Sequence, residues 1–406
     1  MRDQHGPVAG IDYPRTFNEF DKWFADEALC RKYLFRLRWP QGYQCPRCDS
    51  EASPWVTTRG YLHCRRCEGE VSITAGTVFE RTRSPLRVWF LAMWFVTSQK
   101  HGASALGIQR VLGLGSYQTA WTWLHKLRRA MVRPERSRLH DSVEVDETYV
   151  GGTEKGVKRG RGAERKEIVV IAVEVHEPKG FGRVRMRRIP DASGASLVPF
   201  VRDVVERDSE ILTDGWLGYN GLIKHGYKHK KTVLSDSGDP AHVAMPGPHR
   251  IASLLKRWLL STHQGAIGSN HLDYYLDEFT FRFNRRTSRS RGLLFYRLMQ
   301  QSVATAPTRY RDLVGGTHNR FNRKEGSDRK PQRGEICKPR AKPWDLGEEC
   351  AEAPKGRNRN SATTFISPPW GSNDFQSSSP RASPWAGIFR PFVACGCQKL
   401  RNHYIG

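Results

Sequence analysis

Apolar positions near the start of the chain recur at intervals of three and four. In "FNEFDKWFADEALCRKYLFRLR", Phe17, Phe20, Trp23, Phe24 and Leu29 fall on one side of a helical wheel. That spacing predicts one amphipathic helix over 17–38. Between 43 and 80 the period is lost, and short apolar stretches alternate with turn residues and cysteines. Helical spacing returns over 84–131 in three segments. "GLGS" at 113–116 divides the last two: its glycines end one helix, and Ser116 can cap the next. In that next helix Ala120, Trp123, Leu124, Leu127 and Met131 make the inward stripe.

From 142 the pattern changes. "SVEVDETYVGG", "EIVVIAVEV" and "RVRMRRI" read as strands, "SLVPFVRDVVER" as a helix and "EILTD" as a short buried strand. Two more helices follow at about 249–260 and 271–286. This succession predicts an α/β domain. After 315, Pro, Ser, Arg and Asn replace periodic aliphatics, and 316–406 is expected to be a disordered tail. The tail is either a nonspecific nucleic-acid arm or sequence beyond the functional end. Its Cys337, Cys350, Cys395 and Cys397 have no common zinc spacing. The expected organisation is an N-terminal helix (1–40), a cysteine-bearing segment (41–80), a helical region (81–138), the α/β domain (139–315) and the tail.

Charge narrows the class of partner. The formal net charge is +25, which favours a polyanion, nucleic acid before membrane. The longest apolar run, "VWFLAMWFV" at 88–96, is far shorter than the roughly 20 residues of a spanning helix. The N-terminus lacks the apolar core of a secretory signal. A cytoplasmic protein with no membrane partner is the expectation.

Cys45–Cys48 and Cys64–Cys67 give C-x2-C, fifteen residues, C-x2-C. Two such turns place four thiolates for a closed, tetrahedral, structural Zn²⁺ site of the zinc-ribbon kind. Arg47, Arg65 and Arg66 sit inside these turns, where they can reach phosphate. The helix pair over 105–131 has the form of a helix-turn-helix, with Tyr117, Gln118, Thr122 and Lys126 free to face a major groove. Its basic run "HKLRR" adds Arg128 and Arg129 as DNA contacts. Arg159 and Arg161 lie in a basic, Gly-rich loop at 154–166 and would add nonspecific affinity.

Two acids stand where acids are unusual. Asp146 follows the alternation Val143, Glu144, Val145, and Asp214 ends a short buried strand. Such groups must be solvated, paired or metal-bound. Two in one α/β domain suggest adjacent strands carrying a carboxylate pair, suited to Mg²⁺ and to two-metal chemistry. A third group comes from "PHRIASLLKRW". Ile251, Leu254, Leu255 and Trp258 form its apolar stripe, while His249, Ser253 and Lys256 share the other face. A solvated polar face is the ordinary reading; with the acids near, His249 and Lys256 can look toward bound metal.

Taken in order, the cysteine segment, "ITAGTVFERTRSPLRVWFLAMW", "VEVDETYVGG", "TDGWLGYNGL", "SLLKRW" and "YLDEFTFRFNRR" resemble a bacterial insertion-sequence transposase. The group is the one with an N-terminal zinc ribbon before an ISXO-like domain, and the resemblance covers roughly 15–315. It implies a ribonuclease-H-like catalytic domain of the DDE kind. It implies Mg²⁺- or Mn²⁺-dependent cleavage at the element's ends and attack of the freed 3′-hydroxyl on target DNA. Asp146 and Asp214 match the first two acids. The third position is Glu or Asn in many relatives and is followed seven residues on by Lys; here it is His249, followed by Lys256. A DDH set is the working reading. Glu278 is the competing third acid, although Arg282 at i+4 suggests a structural ion pair. Arg282, Arg285 and Arg286 are further candidates for DNA backbone. The resemblance also implies a homodimer or larger synaptic complex on double-stranded DNA. Two alternatives stand beside it: a degenerate DNA-binding descendant, and a metal-dependent nuclease on the same fold.

Overall fold

Two helices, not one, occupy the N-terminal segment: α1 (Phe17–Trp23) and α2 (Glu27–Arg38). Asp26 makes the break. Its backbone is extended, and its carboxylate accepts the Leu29 N–H at 2.8 Å, which caps α2. The break also divides the expected stripe. Phe20 and Phe24 are fully buried, whereas Phe17 and Leu29 are exposed. The computed structural model describes residues 6–133, 136–151, 166–176, 178, 180–232, 245–265 and 267–315. Arg159 and Arg161 of the basic loop, and the tail from 316, lie outside the described residues.

The cysteine segment forms a small antiparallel sheet of β1 (Trp55–Val56), β2 (Leu62–His63) and β3 (Glu70–Val71). The three expected helices follow: α3 (Leu86–Ser98), α4 (Ala105–Leu112) and α5 (Tyr117–Ala130). Gly113 ends α4 in the left-handed conformation at φ 63°, and the Ser116 side chain caps α5 by accepting the Thr119 N–H at 3.1 Å. Trp89 of α3 stacks on Trp123 of α5 with ring centroids 3.8 Å apart.

The large sheet contains β4 (Ser142–Val150), β5 (Glu167–His176), β6 (Gly180–Ile189), β7 (Glu210–Thr213) and β8 (Lys228–Lys231). Its order is β6-β5-β4-β7-β8. The β4–β5 and β5–β6 pairs are antiparallel; β4–β7 and β7–β8 are parallel. Helix α6 (Gly194–Val204) covers one face, packing Leu197, Phe200 and Val201 on Val143, Val145 and Val170. Helices α7 (Pro246–His263) and α8 (Leu272–Phe283) cover the other, packing Ile251, Leu255 and Leu276 on Val169, Ile171 and Val173. A sheet with helices on both faces is the α/β, ribonuclease-H-like class the sequence suggests.

Two helices close the described chain, α9 (Arg291–Ala304) and α10 (Tyr310–Val314). α9 returns to the N-terminal helices. Its Phe295, Leu298 and Met299 share one buried core with Phe20, Phe24, Leu34, Phe90 and Met93. No helix among the described residues is long and apolar enough to cross a membrane.

Candidate catalytic and metal sites

The two cysteine turns are built alike. In the first, the Cys45 N–H donates to the Ser50 carbonyl at 2.9 Å and the Asp49 N–H to the Cys45 carbonyl at 2.9 Å. In the second, Cys64 N–H to Gly69 O and Glu68 N–H to Cys64 O are both 3.0 Å. Asp49 and Glu68 both take positive φ, 56° and 53°, at the same place in the turn. Each turn therefore aims its two thiols by local hydrogen bonds. Cys45 and Cys67 sulfurs are 3.8 Å apart, Cys48 and Cys64 3.7 Å, and all four lie within 4.8 Å of one another. N–H groups of Cys67 and Arg66 draw the Cys64 thiol down to about 6, toward the thiolate a metal requires. The donor set and its closeness fit Zn²⁺. Arg47, Arg65 and Arg66 are exposed beside it.

The two acids come from neighbouring parts of the sheet. β4 and β7 run parallel with Ser142 opposite Glu210, Val143 opposite Ile211 and Glu144 opposite Leu212. The paired residues end there; Asp146 lies two residues further along β4, and Asp214 directly follows the last residue of β7, Thr213. Both are half-buried. Asp146 Oδ1 accepts the Glu147 N–H at 2.8 Å, and Asp214 Oδ1 accepts the Trp216 N–H at 3.0 Å across Gly215, whose φ is 85°. The Tyr219 phenol is fully buried. Burial, and then the charges of Glu147, Asp146 and Asp214, hold it well above its ordinary pKa. Neither Tyr219 nor Glu147 stands out in the sequence, because a phenol and a second strand acid are ordinary by themselves.

His249 arrives from α7. Its Nε2 lies 3.7 Å from Asp146 Oδ2, with 40% of the His249 side chain exposed. The apolar stripe of α7 is buried at Ile251, Leu255 and Trp258, while Leu254 is half-buried. Ser253 and Lys256 are exposed on the His249 side. Partial desolvation, and nearby Lys166, lower the pKa of the otherwise exposed Lys256. A cleft of ≈ 380 Å³ opens along this side, lined by Pro246, His249, Arg250, Ser253, Leu254 and Arg257. Two carboxylates and an imidazole suit Mg²⁺ or Mn²⁺ in kind. Among the described residues only the four cysteines bring three or more ligand atoms within 4.8 Å of one another, so Asp146, Asp214 and His249 stand wider than one ion's inner shell.

Glu278 has another task. Its side chain is fully buried, and its oxygens accept from Arg128 Nε at 2.8 Å and from Arg282 Nε and Nη2 at 2.9 and 2.8 Å. Burial alone would raise its pKa, but Arg282 and Arg128 prevail and hold it down to about 2. Arg282 also donates to the Val96 and Gln99 carbonyls at the end of α3. The guanidinium of Arg128 lies over the Tyr275 ring at 4.1 Å. This corrects two DNA-contact expectations. Arg128 is 1% exposed and Arg282 is mostly covered; both are internal partners of Glu278. Arg285 is half-buried over Phe281 at 4.0 Å, and burial lowers its pKa to about 10. Tyr117 and Gln118 remain exposed at the start of α5, and Thr122, Lys126 and Arg129 are half-buried. α5 thus offers a narrower outward face than the sequence suggests.

Comparison with known families places these features. Residues 25–70 match a transposase zinc-ribbon domain, and residues 138–284 match an ISXO2-like transposase domain. These two stretches are similar, in this order, to the zinc-ribbon and ISXO2-like domains of transposases. A protein of Halobacterium salinarum described as "Uncharacterized protein in transposable element ISH50" is 28% identical over 283 residues, covering 64% of this chain and 92% of the relative. Cys45, Cys48, Cys64 and Cys67 all fall within the ribbon match, and Asp146, Asp214, His249 and Glu278 all fall within the ISXO2-like match.

Proposed function

We propose that the chain binds the terminal inverted repeats of its insertion sequence and catalyses metal-dependent strand cleavage and strand transfer. The observation that supports the reading is the parallel pairing of β4 with β7, with Asp146 and Asp214 each two residues beyond the last paired residues, and His249 Nε2 3.7 Å from Asp146 Oδ2. A protein that only bound DNA would gain nothing from two acids facing phosphates.

Asp146 and Asp214 would hold the divalent ions, and His249 would complete the set, orienting water or ligating. When bound, such ions activate an attacking oxygen and stabilise the leaving one. In the first reaction water attacks the phosphorus at the element's end, and the bond to the 3′ oxygen breaks. In the second that 3′-hydroxyl attacks a target phosphorus and displaces a second 3′ oxygen. Arg250 and Arg257 line the cleft beside His249, Lys256 is exposed on the same helix, and these cations would hold phosphate near the scissile bond. The four cysteines would hold zinc and stiffen the ribbon, which would bind the ends together with α5. A dimer or larger complex would bring two ends together.

The test is strand cleavage and transfer on DNA bearing the element's own ends, with Mg²⁺ or Mn²⁺. Asp214→Asn should lose both reactions and keep end binding in a gel-shift assay. Normal cleavage by Asp214→Asn would remove the site assignment. An inactive wild type that still binds the ends would favour the degenerate descendant instead.

A further inference from the structure

The helix that carries His249 begins Pro246-Gly247-Pro248. The first turn of an α-helix leaves its N–H groups without helical partners. Proline has no N–H. Among the first three residues of α7, Gly247 therefore holds the one donor. That N–H goes to Glu144, whose Oε2 accepts it at 2.7 Å in a buried contact. Met245, in the capping position, supplies no side-chain acceptor. The cap comes instead from β4, 103 positions away in the chain.

Glu144 stands two residues before Asp146, so both side chains leave the same face of β4. Gly247 stands two residues before His249. One hydrogen bond thus pins the first turn of α7 beside Asp146 and presents His249 to it. A side chain at 247 has no room. A Cβ there would lie 2.6 Å from Glu144 Oε2, 2.6 Å from Val173 Cγ1 and 3.2 Å from Phe181 Cε1. Glycine is required by close approach. Glu144 itself is 4% exposed, and a carboxylate is costly to bury without a partner.

We propose that Glu144 and Gly247 form a latch that positions His249 against Asp146. Glu144 is then a positioning residue that touches neither substrate nor metal. The proposal rests on the reading of His249 as the third group of the site.

Mn²⁺ binding to the zinc-loaded, full-length chain tests it, read from the electron paramagnetic resonance of free Mn²⁺, beside strand cleavage on end DNA. Glu144→Gln keeps an acceptor oxygen and should bind Mn²⁺ close to wild type. Glu144→Leu keeps bulk without the acceptor, and Gly247→Ala forces the turn away. Both should weaken Mn²⁺ binding about 10-fold or more, the scale on which partners that orient metal ligands act. A role in packing alone would group Leu with Gln and leave Mn²⁺ affinity unmoved. If Glu144→Leu fails to melt cooperatively, the contrast between Gln and Gly247→Ala decides. Wild-type affinity in Gly247→Ala, with weakened binding in His249→Ala, overturns the latch and keeps the role of His249. Wild-type affinity and cleavage in His249→Ala overturns that role and the latch with it.

Discussion

The ribbon gathers its four thiols from residues 45–67, and each turn closes on its own hydrogen bonds. The carboxylate site draws Asp146, Asp214 and His249 from two strands and a helix, held by sheet register and by one bond from Gly247 to Glu144. The first site is local and fully converged, with every sulfur within 4.8 Å of the others. The second is dispersed and stands open, with His249 3.7 Å from its nearest acid. A site made by turns is specified by spacing; a site made by packing is specified by everything that fixes the packing.

The sharpest way to break this contrast is to remove one ligand from the local site. Cys64→Ser should abolish zinc retention, because a structural site of this kind is worth on the order of 10 kcal/mol of coupled folding and binding. Elemental analysis showing unchanged zinc would contradict the four-cysteine assignment. End binding should weaken at the same time. In the dispersed site Asp146→Asn should slow strand cleavage about a thousandfold or more, a loss of ~4 kcal/mol in the transition state. Zinc content and end binding should stay as in wild type. A parallel loss of end binding would mean that the two sites are not separable.

The buried Glu278 cluster gives a smaller, thermodynamic contrast. Glu278→Ala strands Arg128 in the interior and should cost about 3–5 kcal/mol, seen as a lowered midpoint in thermal or urea unfolding. A variant as stable as wild type would show that solvent or another group satisfies Arg128. Smaller still is the expected acid sensitivity. Burial, with Arg128 nearby, lowers His263 to about 4, so the fold holds this imidazole neutral. Its contribution is present above the ordinary value near 6.5 and fades as pH falls toward 4. Glu278, held near 2, contributes above its ordinary value near 4.5 and fades below it. Stability should therefore decline progressively from about pH 6.5 downward, the His263 part first. His263→Gln should flatten the upper part of that decline; an unchanged profile would assign it elsewhere.

Much of the scaffold is legible in the sequence. Helix breaks at "GLGS", the strands from 142 and the cysteine spacing follow from local chemistry, and the structure has them where the pattern places them. Long-range packing accounts for what the local pattern leaves out around α5 and β4. A helical wheel assumes one buried side, but α5 is buried on two, against α3 and against α8, so Arg128 of the basic run points inward. Strand alternation assumes one wet face, but α6 covers one side of β4 and α7 the other, so Glu144 is buried. In both cases the covering helix lies more than 100 residues later. The single helix expected over 17–38 failed for a local reason, the capping carboxylate of Asp26, which was visible in the sequence.

The most direct test of the central claim is strand cleavage on the element's own ends by His249→Ala, with end binding and zinc content measured on the same preparation. The account expects cleavage to be lost while both other readings hold at wild-type levels. Cleavage at the wild-type rate would show that Asp146 and Asp214 work without His249, and that α7 contributes only packing and positive charge.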